Sequence, residues 1–366
     1  VVLRNNSYVP ILKGRDGEYG ALRTLRADVK QAVAPLLEVP PIKWDFEEDA
    51  PAKTLDQHVS KVCLKIERSW GHDRTLWIDL LWVAEERMAD GEHPAEFVFR
   101  EARDKHLLLI PVVGMLRDDE YLSACSGAVR RDHRGLSLRL QREDFAEFSD
   151  LGGAVAKLLR NLSTIPADTD LILDLGVLSD ADKGDVGLLL DLIARVPRVR
   201  EWRSFTIAGT SFPANLTGLP PSDISRIPRE EWRLRCSLLG RRRNLSRIPA
   251  FGDYGICNPE PSEVDPRIMR PSASVRYTSD QSWIVLKEKN LRDHGYKQFH
   301  EVCRKLIRQP EYCGQKFSWG DSYISDCASG RDGPGSLTTW RKVGTSHHLA
   351  FVTHQLASEV WSSSRS

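Results

Sequence analysis

Eight polar residues stand inside or just after apolar runs: Lys13, Glu38, Asp79, Arg139, Gln141, Asp174, Ser211 and Asp253. A charge in such a place is costly unless it has a partner or a ligand. Glu38, Asp79, Asp174 and Asp253 are hard oxygen ligands that together suit Mg²⁺ or Mn²⁺. The same four carboxylates could instead act as catalytic general acids and bases. Lys13 and Arg139 would neutralise an anionic substrate, the guanidinium gripping a phosphate or carboxylate in bidentate fashion. Zinc is disfavoured because no histidine lies on an expected strand. Ser211 could be a nucleophile, yet it lacks the G-x-S-x-G turn that exposes one. Plainer readings stand beside these. Lys13 and Glu38 could form an ion pair between neighbouring strands, Asp79 and Asp174 could cap helices, or the charges could serve solubility at a rim.

A second group lies in "TTWRKVGTSHHLAF" (338–351), which puts Trp340, Arg341, Lys342 and Gly344 just before an expected helix start. The backbone amides of a helix N-terminus favour an anion, so Arg341 joins Lys13 and Arg139 as an anion-binding candidate. Thr345 or Ser346 would cap that helix. His347 and His348 are adjacent and point to different sides, one toward the barrel and the other toward the bowl. The bland alternative is a capped helix with Trp340 tucked beneath a lid. The run "LGRRRNLSR" (239–247) reads as a solvated basic face. The string "FSWGDSYISDCASG" (317–330) could stack a base or sugar, and lid packing explains it equally well.

Scattered residues can share one site only if the fold gathers them. Strand-like runs occur at about 8–13, 33–39, 75–81, 107–115, 135–141, 170–176, 203–210 and 248–254. Most are continuous apolar runs, the mark of strands buried on both faces of a parallel sheet. Helix-compatible segments at 54–70, 94–106, 152–162 and 185–196 alternate with them. Eight such units in about 260 residues match a (β/α)₈ TIM-like barrel. An open doubly wound sheet would be shorter and would usually carry a Gly-rich first turn, which is absent. The rhythm breaks after the eighth strand. "SASVRYT" (272–278), "SWIVLKEK" (282–289), a helix-like segment at 296–309 and the Gly-rich "SGRDGPGS" (329–336) precede a helix at 347–358. The expected organisation is barrel strands in 1–255, an inserted lid in 256–340 between strand eight and helix eight, and a closing helix with its tail in 341–366.

The 366 residues carry 52 basic and 51 acidic side chains. That balance is unlike the basic excess of a nonspecific nucleic-acid binder. No run approaches the roughly 18–20 apolar residues that cross a bilayer, so no membrane partner is expected. "VVLRNNSYVP" does not read as a signal peptide. Seven scattered cysteines without C-x-x-C spacing suggest reduced thiols and a cytoplasmic location.

"YVPILKGRDGEYGAL", "VAPLLEVPP" and "TTWRKVGTSHHLAFV" resemble the phage-type beta protein family, over about residues 8–358. The resemblance implies a setting of phage–host conflict or phage defence, with no catalytic assignment. It points to Lys13, Gly17, Glu18 and Tyr19, to Glu38 and Pro40, and to Trp340, Arg341, Gly344, His347 and His348. The histidine and acidic signatures of two phosphodiester-cleaving barrel groups do not match. The expected activity is metal-assisted hydrolysis of a phosphorylated or nucleotide-like ligand in a carboxylate-lined bowl, with Glu18, Ser211, Trp340, His347 and His348 as further pocket residues. The alternative is a non-catalytic module that recognises a phage protein, nucleic acid or operon-encoded partner through the lid.

Overall fold

The computed structural model describes residues 7–180, 182, 185–260 and 270–363, with side chains to residue 358. All eight expected strands form: β1 (Tyr8–Leu12), β2 (Leu36–Glu38), β3 (Thr75–Asp79), β4 (Leu108–Val113), β5 (Leu136–Gln141), β6 (Thr169–Val177), β7 (Ser204–Thr210) and, after an intervening strand, β9 (Ala250–Asp253). They pair in parallel in the closed order β1-β9-β7-β6-β5-β4-β3-β2. Closure comes from β1, which pairs Tyr8 to Phe251 on one side and Leu12 to Leu37 on the other.

Burial explains the apolar runs. Val9, Ile11, Leu36, Trp77, Ile110, Val112, Ile172, Ala208 and Tyr254 fill the barrel interior. A larger cluster, with Leu12, Leu37, Ile78, Leu138, Leu173 and Phe251, lies between strands and helices. Each strand is thus covered on both faces, as a parallel barrel requires.

The added unit differs from the expected insertion. Its antiparallel sheet joins β10 (Ser272–Thr278) and β11 (Ser282–Asn290) to β8 (Asp223–Pro228), which leaves the chain between β7 and β9. Two segments therefore build it, before and after the last barrel strand. Helices Gln298–Leu306 and Trp319–Ser329 pack on this sheet around Phe299, Leu306, Ile324 and Trp340. The string at 317–330 is mostly the second of these helices. The sheet is anchored on loops that follow β7 and β9. Arg276 donates to the Ile256 carbonyl at 2.7 Å, and Lys287 donates to the Leu216 carbonyl at 2.8 Å.

The closing helix spans Leu337–Ser363 rather than starting near residue 347. Ser336 accepts the Thr339 amide at its start. Trp340, Arg341 and Gly344 therefore lie inside the helix, and Thr345 and Ser346 are buried rather than capping. The proposed helix-end anion site at residue 345 does not exist.

Candidate functional site

Lys13, Glu38, Asp79, Arg139 and Asp174 do converge at the C-terminal ends of the strands, and they converge on one another. Arg139 Nη1 donates to Glu38 and Asp79, both at 2.9 Å. Its Nε and Nη2 donate to Asp174 at 2.9 and 2.7 Å. Lys13 Nζ lies 2.6 Å from the other Glu38 oxygen, which also accepts from Trp82. Tyr254 donates to Asp174 at 2.5 Å, and Arg117 donates to Asp79 at 2.8 Å. Burial works against the charge of Glu38, but Arg139 and Lys13 outweigh it and hold the carboxyl below its ordinary range. The Lys13–Glu38 contact is the ion pair between neighbouring strands that the plainer reading allowed.

Asp253 stands apart from this network. It accepts from Tyr8, from the Gly255 amide at 2.9 Å, and from His348 Nε2 at 2.9 Å. Burial holds the His348 ring below its ordinary range despite the Asp253 charge. A neutral ring fits: Nε2–H donates to Asp253 while Nδ1 accepts the Thr278 hydroxyl at 2.7 Å. The four carboxylates expected to share Mg²⁺ or Mn²⁺ therefore do not meet. A guanidinium supplies the positive charge among three of them, and a histidine and a tyrosine hold the fourth. Among the described residues, no group of three or more His, Cys, Asp or Glu is placed to hold a metal ion.

His347 faces the other way. Its Nδ1 lies 2.9 Å from Asp321 and its Nε2 lies 2.8 Å from the Thr278 carbonyl. Its ring stacks on Tyr277 at 3.7 Å, and Tyr277 and Ser318 both donate to Asp321. Both histidines are fully buried, so neither faces an open bowl. Ser211 is likewise committed. It donates to the Pro228 carbonyl and to Glu231, and it accepts the Glu230 amide at the head of helix Glu230–Gly240. Burial pushes Glu231 up to about 7, although Arg229 pulls the other way. Trp340 stacks on Phe299 at 4.4 Å and donates to the Pro334 carbonyl.

Arg341 is not a member of the hydrogen-bond network of Lys13 and Arg139. It belongs to a separate basic group with Arg15 and Arg276. Arg341 Nη1 lies 3.6 Å from Cys257 Sγ, and Cys257 points its thiol at Glu18 Oε1, 3.8 Å away. Glu18 Oε2 accepts the Arg15 amide at 2.9 Å. Burial, followed by the neighbouring charges of Arg341 and Arg15, lowers Arg276 to about 10, although Cys257 acts in the opposite direction. Glycines make the assembly sterically feasible. A Cβ on Gly17 would come within 2.8 Å of Arg341 Cβ and of the Thr338 carbonyl. One on Gly344 would meet Ile256 Cδ1 at 2.7 Å and the Arg276 carbonyl at 2.9 Å.

Residues 8–354, nearly the whole chain, match a single family description, that of the Beta protein. The chain belongs to the Beta protein family. Among solved structures, a triosephosphate isomerase from Bartonella henselae is 10% identical, aligned over 68% of this chain and 91% of its own, with a TM-score of 0.36. No curated protein matches. The barrel assignment rests on the strand order.

Within this Beta protein family chain, the first and last motifs are spatial neighbours: helix Asp16–Thr24 crosses helix Leu337–Ser363 at Gly17. Sequence reasoning missed Arg15, Arg117, Tyr254, Cys257, Arg276 and Asp321. Two signals were present. Arg15 follows Lys13 in the same turn, and Arg276 takes the polar position between the buried Val275 and Tyr277 in the alternating strand "SASVRYT", where Ser272 and Ser274 precede it.

Proposed function

We propose that the protein binds a phosphorylated or nucleotide-like anion where Arg15, Arg276 and Arg341 meet, at the seam between the barrel and the added sheet. The observation that carries this reading is the convergence of three guanidiniums without a carboxylate in ion-pair reach of any of them among the described residues. All three side chains are half-buried, so their mutual repulsion is screened less than at an open surface. An anion would relieve it and accept several charge-assisted hydrogen bonds. The floor cations Lys13, Arg117 and Arg139 are already matched by Glu38, Asp79 and Asp174, and they are poorer candidates for the same task.

Turnover of a phosphoester or nucleotide is the further step of this proposal, with Glu18 as the proton acceptor beside the arginines. A place in phage–host conflict comes from the family resemblance alone. Titration calorimetry with orthophosphate, pyrophosphate and a nucleoside triphosphate tests the binding. Replacing Arg276 and Arg341 together by Gln should weaken binding by about a hundredfold or more, since each charge-assisted bond contributes roughly 1.5–3 kcal/mol. Equal binding by the double variant, or no binding of any of these anions by the native protein, would overturn the proposal. Binding without bond cleavage would leave a non-catalytic binding module.

A further inference from the structure

A cleft of about 160 Å³ opens elsewhere on the barrel mouth, between the loops that follow β3, β4 and β5. Its charged anchor is Arg117. That side chain is nine-tenths buried and spends Nη2 on Asp79, while Nη1 is buried with no hydrogen-bond partner among the described residues. A buried guanidinium nitrogen left unpaired costs more than a typical hydrogen bond returns, so the site favours an acceptor there. Asp144 also lines the cleft. Its Oδ2 accepts the Gln141 amide at 2.8 Å. Burial raises its carboxyl above the ordinary range, with Arg117 among the groups pulling it back.

The rest of the lining has two characters. Leu81, Ala84, Met115 and Leu116 supply an apolar wall, and Leu116 is 69% exposed at the lip. Glu85, Asp118 and Glu143 supply negative charge. One guanidinium N–H left over from the Asp79 ion pair, acids around it and an aliphatic wall define a ligand with a carboxylate, an ammonium and a branched apolar group.

We propose that this cleft binds a small aliphatic α-amino acid, its carboxylate on Arg117 and its ammonium toward Glu85, Asp118 and Glu143. The seam arginines play no part in this site, so the two proposals stand or fall separately. The test is titration calorimetry of the full chain with L-leucine, with isoamylamine (leucine lacking the carboxylate) and with 4-methylvalerate (leucine lacking the amine). Leucine should bind, and each truncated compound should bind at least about tenfold more weakly, because each lacks one charged grip. Arg117→Met should abolish leucine binding and leave pyrophosphate binding unchanged. Because Arg117 also supports Asp79, a second variant avoids the floor: Glu85→Gln with Glu143→Gln, both at exposed positions, should weaken leucine several-fold and leave 4-methylvalerate unaffected. No leucine binding at millimolar concentration, equal binding of the three compounds, or unchanged leucine affinity in the folded double variant would overturn the proposal.

Discussion

At the scale of single residues, the barrel mouth turns on a competition between partners and ligands. Arg139 is 4% exposed, and its donors go to Glu38, Asp79, Asp174 and Tyr254. Removing one member of such a buried set leaves an uncompensated charge, which typically costs about 3–5 kcal/mol. Glu38→Gln keeps the size of the side chain and removes the charge shared by Lys13 and Arg139. The expected result is a loss of stability of roughly that size in urea unfolding, with phosphate binding at the seam retained. A variant as stable as the native protein would show that Glu38 is not held by its neighbours, and the catalytic reading of the floor would regain its footing. The seam arginines make the opposite case, with cations gathered and, among the described residues, no carboxylate in ion-pair reach. That imbalance is the reason the proposed ligand is placed there.

At the scale of elements, close approach decides what the helices can do. Helix Trp319–Ser329 packs against the closing helix so tightly that a Cβ on Gly320 would come within 2.3 Å of the Val343 carbonyl oxygen. Backbone cannot move aside cheaply, so Gly320→Ala should lower the melting temperature. Gly127 lies within helix Asp119–Asp132, where a Cβ would meet nothing within 4 Å. Gly127→Ala should raise stability by about 0.5–1 kcal/mol, because alanine gives up less backbone freedom on folding. Thermal melts of the pair check both signs, and two shifts in the same direction would refute the steric account. The same physics governs what could be read from the letters. The eight barrel strands were legible because burial on both faces leaves continuous apolar runs. Strand β8 was hidden because "DISRIP" has no fully buried residue. The start of the closing helix was hidden because Gly344 looks like a breaker, whereas here it admits Ile256 and the Arg276 carbonyl. The charged floor was legible from its polar residues at the ends of apolar runs. The seam was not, because a helix crossing that joins residue 17 to residue 341 leaves no local trace.

At the scale of the whole molecule, the closing helix joins two bodies through adjacent residues. His348 reaches the barrel through Asp253 and Tyr8, while His347 reaches the added unit through Asp321 and Tyr277. Thr278 at the end of β10 touches both, its hydroxyl on one ring and its carbonyl on the other. Successive helical residues are turned about 100° apart, so a pair of neighbours can address two partners that a single side chain could not. Loss of either histidine should therefore loosen a different half. His347→Ala takes one partner from the buried Asp321 and removes the ring stacked on Tyr277, so amide exchange should quicken across β10 and helix Trp319–Ser329 while β4 to β6 stay protected. His348→Ala leaves Asp253 Oδ2 without its histidine partner instead, and exchange should quicken in β1 and β9, where the barrel closes. Hydrogen exchange read by mass spectrometry separates these patterns, since locally opened units exchange as blocks. If both variants loosened the same segments to the same extent, the helix would be a single clamp on one cooperative body, and the division of labour between its two histidines would be wrong.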